Sequence, residues 1–219
     1  MKILALEFSS DQRSVAVVDE GRLRGRAQET GARANRTLSL VQTALGEARL
    51  EREQIECLAI GLGPGSYTGI RSAIALAQGW QLALGTRMIG VNSFECLAAG
   101  AQLDNLRGRV NLVIDAQRDE FYLARYNVEA AGYQQIEPVH LAGMKEVLAH
   151  AAAGEWIAGP QAIHGLPHAR ILFPDAATLG KLAATRNDFI PGEMLEPIYL
   201  REPRFVKATP PRSALREDR

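Results

Sequence analysis

Cysteine is scarce in this 219-residue chain, and long apolar runs and net charge are missing altogether. The two cysteines, Cys57 and Cys96, stand in apolar surroundings and form no CxxC pair, which predicts buried thiols in a reducing cytoplasm. No stretch approaches the roughly 20 apolar residues of a membrane span. The opening MKILALEFSS loses its apolar run at Glu7, too early for a signal peptide, and reads as a strand. Basic and acidic residues number 25 each, so no net charge draws the whole chain to nucleic acid.

Motifs for hydrolytic or metal chemistry are also missing from the sequence. It contains no HExxH helix, no nucleophile elbow and no plausible Cys–His pair. Of the four histidines, only His164 and His168 have a ligand-like spacing, and Pro167 between them prevents a shared helix face. We therefore predict that the chain has no catalytic residue, no metal site and no cofactor of its own.

The order of apolar patterns predicts a duplicated α/β chain. An apolar strand that ends in a carboxylate, Lys2–Glu7, is followed by two further strands and an amphipathic helix, Leu38–Ala48. The same order returns 108 residues later, from the strand Val110–Asp115 to a helix near Met144–Ala152. Two copies of strand, strand, strand and helix predict an actin-like α/β fold with mixed sheets, in which the second half is cut down.

The repeat also predicts how the chain divides. We expect an N-terminal actin-like subdomain at residues 1–104, a smaller C-terminal one at 105–208 and a flexible tail at 209–219. The chain from Arg201 to its end holds six basic and three acidic residues, with a Pro-Pro pair in the middle. Such a segment is typically solvated.

The glycine-rich stretch GLGPGSYTG, residues 61–69, lies between a buried strand and a helix predicted over Ile70–Leu84. One interpretation is a tight turn with Thr68 as the helix N-cap. The other is an anion site, since backbone N–H groups at a helix start attract negative charge and Arg71 follows one turn later. No lysine of the GxxxxGK[ST] type is present to favour phosphate. The candidate residues of this loop are Gly63, Pro64, Gly65, Ser66, Thr68, Gly69 and Arg71.

The segment Glu7-Phe8-Ser9-Ser10 occupies the place where the actin and sugar-kinase superfamily cradles nucleotide phosphate in a glycine hairpin. A carboxylate is present, but no glycine follows it. A backbone cradle that needs positive φ is disfavoured without glycine. Glu7, Ser9 and Ser10 therefore read as a degenerate phosphate hairpin, and an independent ATPase is not expected.

The helix Ile70–Leu84 carries small residues on more than one side. Its stripe of Ala73, Ala77, Trp80 and Leu84 is of the kind that packs on the chain's own sheet. The recurrence of Ala and Gly elsewhere on the helix also suits a surface that buries against another chain. We predict interface residues at Leu40, Ile70, Ala73, Ala77 and Trp80.

The stretch GPGSYTGIRSAIALAQGWQLALGTRMIGVNSFECLAAGA resembles the signature region of the TsaB (YeaZ) family. Three further stretches agree in the same order: ILALEFSS, IDAQRDEFYLARY and EPIYLREPRFVK. The resemblance spans nearly the whole chain. Two positions depart from the family pattern, since most members have Asp at the place of Glu7 and many have His near Arg33. Both departures argue against a small-molecule contact at these two positions.

The resemblance implies an actin-like fold and a part in threonylcarbamoyladenosine synthesis on tRNA. It implies homodimerisation, or pairing with the catalytic paralogue TsaD, through helices Leu38–Ala48 and Ile70–Leu84, with the ATPase TsaE joining the assembly. ATP and metal would be bound by those partners, and the chain would contact tRNA only as part of the complex. The stretch Ala32-Arg33-Ala34-Asn35 lacks the metal histidines that TsaD carries at this place. Protease chemistry, sometimes inferred for such chains, has no support in these residues.

Two other hypotheses stay open at the level of sequence. The chain could act alone as a metallopeptidase or a nucleotide-dependent transferase. It could also be a sensor that keeps the superfamily cleft and binds a ligand without turnover. The missing metal ligands and the degenerate hairpin favour the non-catalytic subunit.

Overall fold

The computed structural model describes residues 1–31, 36–198 and 200 of the chain. The stretch 32–35 and the predicted tail 209–219 lie outside these residues, as does the end of the EPIYLREPRFVK stretch. The first half contains β1 Lys2–Glu7, β2 Gln12–Asp19, β3 Arg22–Thr30, α1 Thr37–Ala48, β4 Cys57–Gly61, α2 Tyr67–Leu84, β5 Arg87–Val91 and α3 Ser93–Leu103. The second half contains β6 Gly108–Asp115, β7 Glu120–Glu129, β8 Gly132–Gly143, α4 Met144–Ala152, β9 Trp156–Gly159, β10 Arg170–Ile171 and α5 Ala176–Ala184.

Two mixed sheets of five strands each confirm the predicted duplication. The first sheet has the order β3–β2–β1–β4–β5, and the second has the order β10–β9–β6–β7–β8. In each sheet a hairpin of three antiparallel strands is followed by parallel strands: β1 pairs antiparallel with β2 and parallel with β4, as β6 does with β7 and β9. The fold is therefore actin-like, and its second half has fewer and shorter elements after the hairpin.

The first strand is buried on both of its faces. Leu4 and Leu6 point into one apolar cluster, which α1 and α2 cover, while Ile3 and Ala5 point into another, which α5 covers. Successive side chains of a strand alternate between the faces of a sheet. A strand covered on both faces must therefore be apolar throughout, which explains the unbroken run ILAL.

Two helices pack on the sheet of the other half of the chain, and the predicted boundary at 104/105 stays a prediction. Helix α3, from the first half of the chain, packs on the second sheet, with Phe94 and Leu97 in the cluster of β6 and β7. Helix α5, from the second half, packs on the first sheet beside β1 and β2. A Cβ on Gly180 of α5 would lie 2.7 Å from Val18 Cγ2, so a glycine permits the close approach. The hydrophobic period of a helix shows which side is buried and not which sheet buries it.

Candidate functional site

The carboxylate of Glu7, at the end of β1, is completely buried. Its Oε1 accepts a hydrogen bond from the backbone N–H of Ser9 (2.7 Å), and its Oε2 accepts one from the hydroxyl of Ser93 (3.0 Å). Removal from water raises the pKa of the Glu7 carboxyl, and hydrogen bonds from Ser9 and Ser93 offset part of that rise. Among the described residues no basic side chain pairs with it. The Glu7 carboxylate thus links β1 to α3 by a buried hydrogen bond.

The glycine loop lies directly on the turn that follows β1. A Cβ on Gly65 would lie 2.1 Å from the carbonyl oxygen of Ser9, and one on Gly69 would lie 2.0 Å from that of Phe8. The N–H of Ser66 donates to the same Ser9 oxygen (2.7 Å). Both glycines are therefore required by close backbone approach, which only a residue without Cβ allows. This packing role supports the tight-turn interpretation of the loop.

Helix α2 begins three residues before the predicted Ile70, and its N-cap lies two residues before the predicted Thr68. Ser66, not Thr68, is the N-cap: its Oγ accepts a hydrogen bond from the N–H of Gly69 (3.3 Å). Thr68 is already inside the helix and exposed, and its carbonyl accepts from the Ser72 hydroxyl. Serine and threonine cap helices almost equally well, so the sequence alone did not choose between them. Arg71 is exposed, and its guanidinium lies 4.2 Å from the centre of the Tyr67 ring.

The remaining loop residues are held by α3. The N–H of Gly63 donates to the Ser93 hydroxyl (3.2 Å), and the N–H of Ser93 donates back to the Gly63 carbonyl (2.9 Å). Pro64 is buried. Because Gly63 donates to the Ser93 oxygen, the Ser93 proton is directed to Glu7. One short chain of hydrogen bonds therefore ties the loop, α3 and β1 together.

The polar groups of the predicted hairpin are largely engaged within the chain. The N–H of Ser9 donates to the Glu7 carboxylate, and the carbonyl oxygen of Ser9 accepts a hydrogen bond from the N–H of Ser66. The hydroxyl of Ser10 donates to the carbonyl oxygen of Gln12 (3.0 Å). The exception is Ser9 Oγ, which is buried without a hydrogen-bond partner among the described residues. The absence of a phosphate cradle stays a prediction, and these contacts give it a physical basis.

A cavity of about 440 Å³ opens between the two halves of the chain. On its second-half side, Asp115 Oδ1 accepts the N–H of Gln117 (2.7 Å), which repeats the Glu7–Ser9 contact of the first half. Asp115 is exposed, however, whereas Glu7 is completely buried. The cavity is lined by Ser9, Ser10, Asp11, Gly65, Ser66, Tyr67, Ile70, Ile114, Asp115, Ala116, Gln117, Tyr122, Gln161 and Ile198. We refer to it below as the cleft.

The side chains predicted for an interface are buried within the chain itself. Each is less than a tenth exposed, and all five belong to the cluster beneath α1 and α2: Leu40, Ile70, Ala73, Ala77 and Trp80. These five side chains thus lie on the inward side of their helices, and a role for them at an interface stays a prediction. A stripe of small residues on a helix packs on its sheet as readily as on another chain, so residue size did not identify the free side.

The outward side of the same two helices forms a shallow apolar groove of about 330 Å³, the α1–α2 groove. Leu38 of α1 is 60% exposed, and Leu84 of α2 is 43% exposed. Trp80 forms part of its wall, and the indole Nε1 is buried with no acceptor among the described residues. The groove is lined by Leu38, Val41, Arg52, Ala75, Leu76, Gly79, Trp80, Ala83 and Leu84.

A third cluster, Glu137, His140 and Glu146, was not singled out from the sequence. Nε2 of His140 lies 2.8 Å from Glu146 Oε1, while Nδ1 lies 3.1 Å from the carbonyl oxygen of Pro138 and 3.8 Å from Glu137. Both ring nitrogens thus face oxygen atoms that only accept. The arrangement fits an imidazolium held between two carboxylates, because each nitrogen then donates a proton.

The His140 cluster leads to a prediction on pH. Partial burial lowers the pKa of His140, but Glu146, the Pro138 carbonyl and Glu137 outweigh it, so the pKa is raised. A raised folded-state pKa means that the stabilisation is present below the unfolded value of about 6.5 and is lost as pH rises through the folded value. We expect the free energy of unfolding to fall over that window, and His140→Gln to flatten the slope in urea titrations. An equal slope in the wild type and in His140→Gln would contradict the assignment of an imidazolium at this cluster.

The chain resembles several known proteins. The sequence profile of the TsaD family, described as tRNA N6-adenosine threonylcarbamoyltransferase, matches residues 31–216. The tRNA threonylcarbamoyladenosine biosynthesis protein TsaB of Escherichia coli K12 is 30% identical over 92% of this chain and 95% of its own. The solved structure of YeaZ from Pseudomonas aeruginosa is 30% identical, with a TM-score of 0.75, over 91% of this chain and 99% of that one.

The duplicated sheets, the carboxylate at the end of each first strand and the cleft between the halves define an actin-like protein. Similarity to the E. coli and P. aeruginosa proteins extends over both halves. The chain belongs to the TsaB (YeaZ) family. Within the described residues, no helix is long and apolar enough to cross a membrane.

Proposed function

We propose that this chain is a non-catalytic subunit in the synthesis of threonylcarbamoyladenosine on tRNA. In this role it binds a TsaD-like catalytic paralogue through the α1–α2 groove and forms a homodimer through the same surface when the paralogue is absent. A TsaE-like ATPase joins the assembly, and the tRNA contacts the complex. The transfer reaction then takes place on the paralogue, which holds the metal and the nucleotide.

The exposed apolar groove is the observation that carries this proposal. Monomeric proteins seldom leave contiguous apolar surface in water, and such a surface rimmed by polar groups is typical of a protein–protein interface. Leu38 is mostly exposed and Leu84 is partly exposed, while Ala75, Gly79 and Ala83 in the same lining are small and exposed. Small side chains let a second helix approach closely.

The contacts of Glu7 support a role without catalysis. Its carboxylate is fully buried and hydrogen-bonded by Ser9 and Ser93, so it is not placed to bind a metal–nucleotide complex in the cleft. A stand-alone metallopeptidase or nucleotide-dependent transferase is the alternative function. Either would need a reactive carboxylate or metal ligands facing a cavity, and Asp11 and Asp115 are the carboxylates among the described residues that line the cleft.

The purified chain and the catalytic paralogue of the same organism test the proposal together. We expect the chain alone to hydrolyse neither peptides nor ATP and to transfer no threonylcarbamoyl group to tRNA. With the paralogue and the ATPase, transfer should appear and should depend on this chain. Complex formation is measured by size-exclusion chromatography with light scattering. Activity of the chain alone that is lost on chelation would support the metallopeptidase instead.

A further inference from the structure

The His140 cluster contains three side chains of the kinds that bind divalent transition metals. One donor atom from each of Glu137, His140 and Glu146 lies within 4.8 Å of the donor atoms of the other two. Imidazole nitrogen and carboxylate oxygen are zinc ligands, and sites with three protein ligands leave a fourth position to water. Among the described residues, no other three histidine, cysteine or acidic side chains are arranged in this way.

A β-bulge brings two of these residues to one face of the second sheet. In a regular strand, residues three apart point to opposite faces. Leu123 pairs with His140 and Arg125 with Glu137, so β8 takes three steps where β7 takes two. Pro138, which cannot donate to a strand ladder, lies in this extra length. Bulges re-aim side chains, and this one places Glu137 and His140 together on the side of α4.

The backbone of the bulge also fixes the orientation of the His140 ring. Nδ1 lies 3.1 Å from the carbonyl oxygen of Pro138, an atom that only accepts, so this nitrogen carries a proton. A histidine that binds a metal almost always donates its other ring N–H to a backbone carbonyl or a carboxylate. Nε2 is then the ligand nitrogen, 2.8 Å from Glu146 Oε1. Two acceptors this close repel each other unless a proton or a metal ion lies between them.

The two carboxylates are free to complete the coordination. Glu137 Oε2 accepts from Arg125 Nη1 (3.0 Å), and its Oε1 faces the His140 ring at 3.8 Å. A ligating carboxylate that is itself hydrogen-bonded is typical of metal sites. Zinc distances of about 2.1 Å set tetrahedral donor atoms about 3.4 Å apart. The side chains of Glu137 and Glu146 are 37% and 41% exposed, so both have room to rotate to this spacing.

We propose that Glu137, His140 and Glu146 bind one zinc ion, with water as the fourth ligand. In metal-free buffer a proton lies between Nε2 and Glu146, and zinc takes its place. The ion ties β8 to the first turn of α4, a structural role separate from the cleft and the α1–α2 groove. The proposal departs from the sequence prediction of no metal site, because the three residues come together only through the bulge and the packing of α4.

Isothermal titration of zinc chloride into the untagged, chelator-treated chain tests the proposal. We expect one ion per chain. His140→Gln and Glu146→Gln should each weaken binding by at least about a hundredfold, since losing only an outer partner of a ligand already costs about 10–100-fold. X-ray absorption of the wild-type complex should show nitrogen and oxygen at about 2.0–2.1 Å and no sulfur at about 2.3 Å, which excludes Cys57 and Cys96. Magnesium, which prefers six oxygen ligands, should not compete.

His164→Gln with His168→Gln is the matched control, because it removes the two exposed histidines whose spacing in the sequence resembles that of ligands. This variant should bind zinc as the wild type does, and thermal melts in chelator show which variants are folded. The absorption spectrum needs no variant, so the test survives a variant that unfolds. Zinc that binds His140→Gln normally, or is lost in the control pair, marks adventitious binding only and overturns the proposal. Wild-type affinity weaker than about 0.1 mM, or sulfur neighbours, overturns it as well.

Discussion

Gly69→Ala is expected to lower the free energy of unfolding by about 3 kcal/mol, at the upper end of what inserting one methyl group into a packed site costs. The added Cβ would lie 2.0 Å from the carbonyl oxygen of Phe8, an atom of the backbone that cannot rotate away. Moving that oxygen shifts the end of β1, where the Glu7 carboxylate is held by Ser9 and Ser93. Urea denaturation followed by circular dichroism measures the change.

Gly46→Ala is the matched control, because it makes the same substitution within a helix, at an open position. Nothing lies within 4 Å of a Cβ built on Gly46. Alanine is favoured over glycine inside a helix, so this variant should gain about 0.5–1 kcal/mol. Equal stabilities of the two variants would show that the turn after β1 moves freely and that the contact with Gly69 is not a constraint.

Ala83→Glu is expected to abolish docking while leaving the chain folded. Ala83 is exposed in the α1–α2 groove, so in the free chain its glutamate stays in water and changes stability by no more than about 0.5 kcal/mol. In a complex the same charge is buried without a partner, which costs several kcal/mol. We expect binding to the catalytic paralogue and to a second copy to weaken by at least about a hundredfold. Isothermal titration calorimetry measures binding to the paralogue, and sedimentation equilibrium measures binding to a second copy.

Two further substitutions separate docking from folding. Ala149→Glu places the same charge on the exposed side of α4 and should bind as the wild type does. Ala77→Glu places it in the core beneath α2, as Ala73→Glu and Leu40→Glu would, and should unfold the chain. If Ala83→Glu keeps both associations, the docking surface lies outside the α1–α2 groove.

Most of the fold could be predicted from the sequence because its local patterns are strong. The strand Lys2–Glu7 and the helix Met144–Ala152 have the predicted limits. Each combines a clear apolar period with turn or capping residues at its ends. The two-residue strand Arg170–Ile171 was not predicted, since an element this short has no period to detect.

The candidate site was predicted less well. Gly65 and Gly69 were singled out from the sequence, but the atoms that they contact closely, the carbonyl oxygens of Ser9 and Phe8, lie more than 50 residues away along the chain. The residues proposed for an interface prove to be buried within the chain, which their spacing along the helices did not reveal. The His140 cluster joins β8 to α4, and no spacing within either element reveals a pair that forms only when they pack.

The sequence by itself determined the order of elements, the duplication, the family and the absence of known catalytic motifs, because these depend on residues that are near one another along the chain or on its composition. Only the tertiary structure decided which helix covers which sheet and which side of α2 faces outward. It also decided that the Glu7 carboxylate is buried while that of Asp115 is exposed. These properties depend on contacts between distant residues, such as Glu7 with Ser93 and Gly180 with Val18. An amphipathic helix or a terminal carboxylate has the same local pattern whatever surface it finally meets.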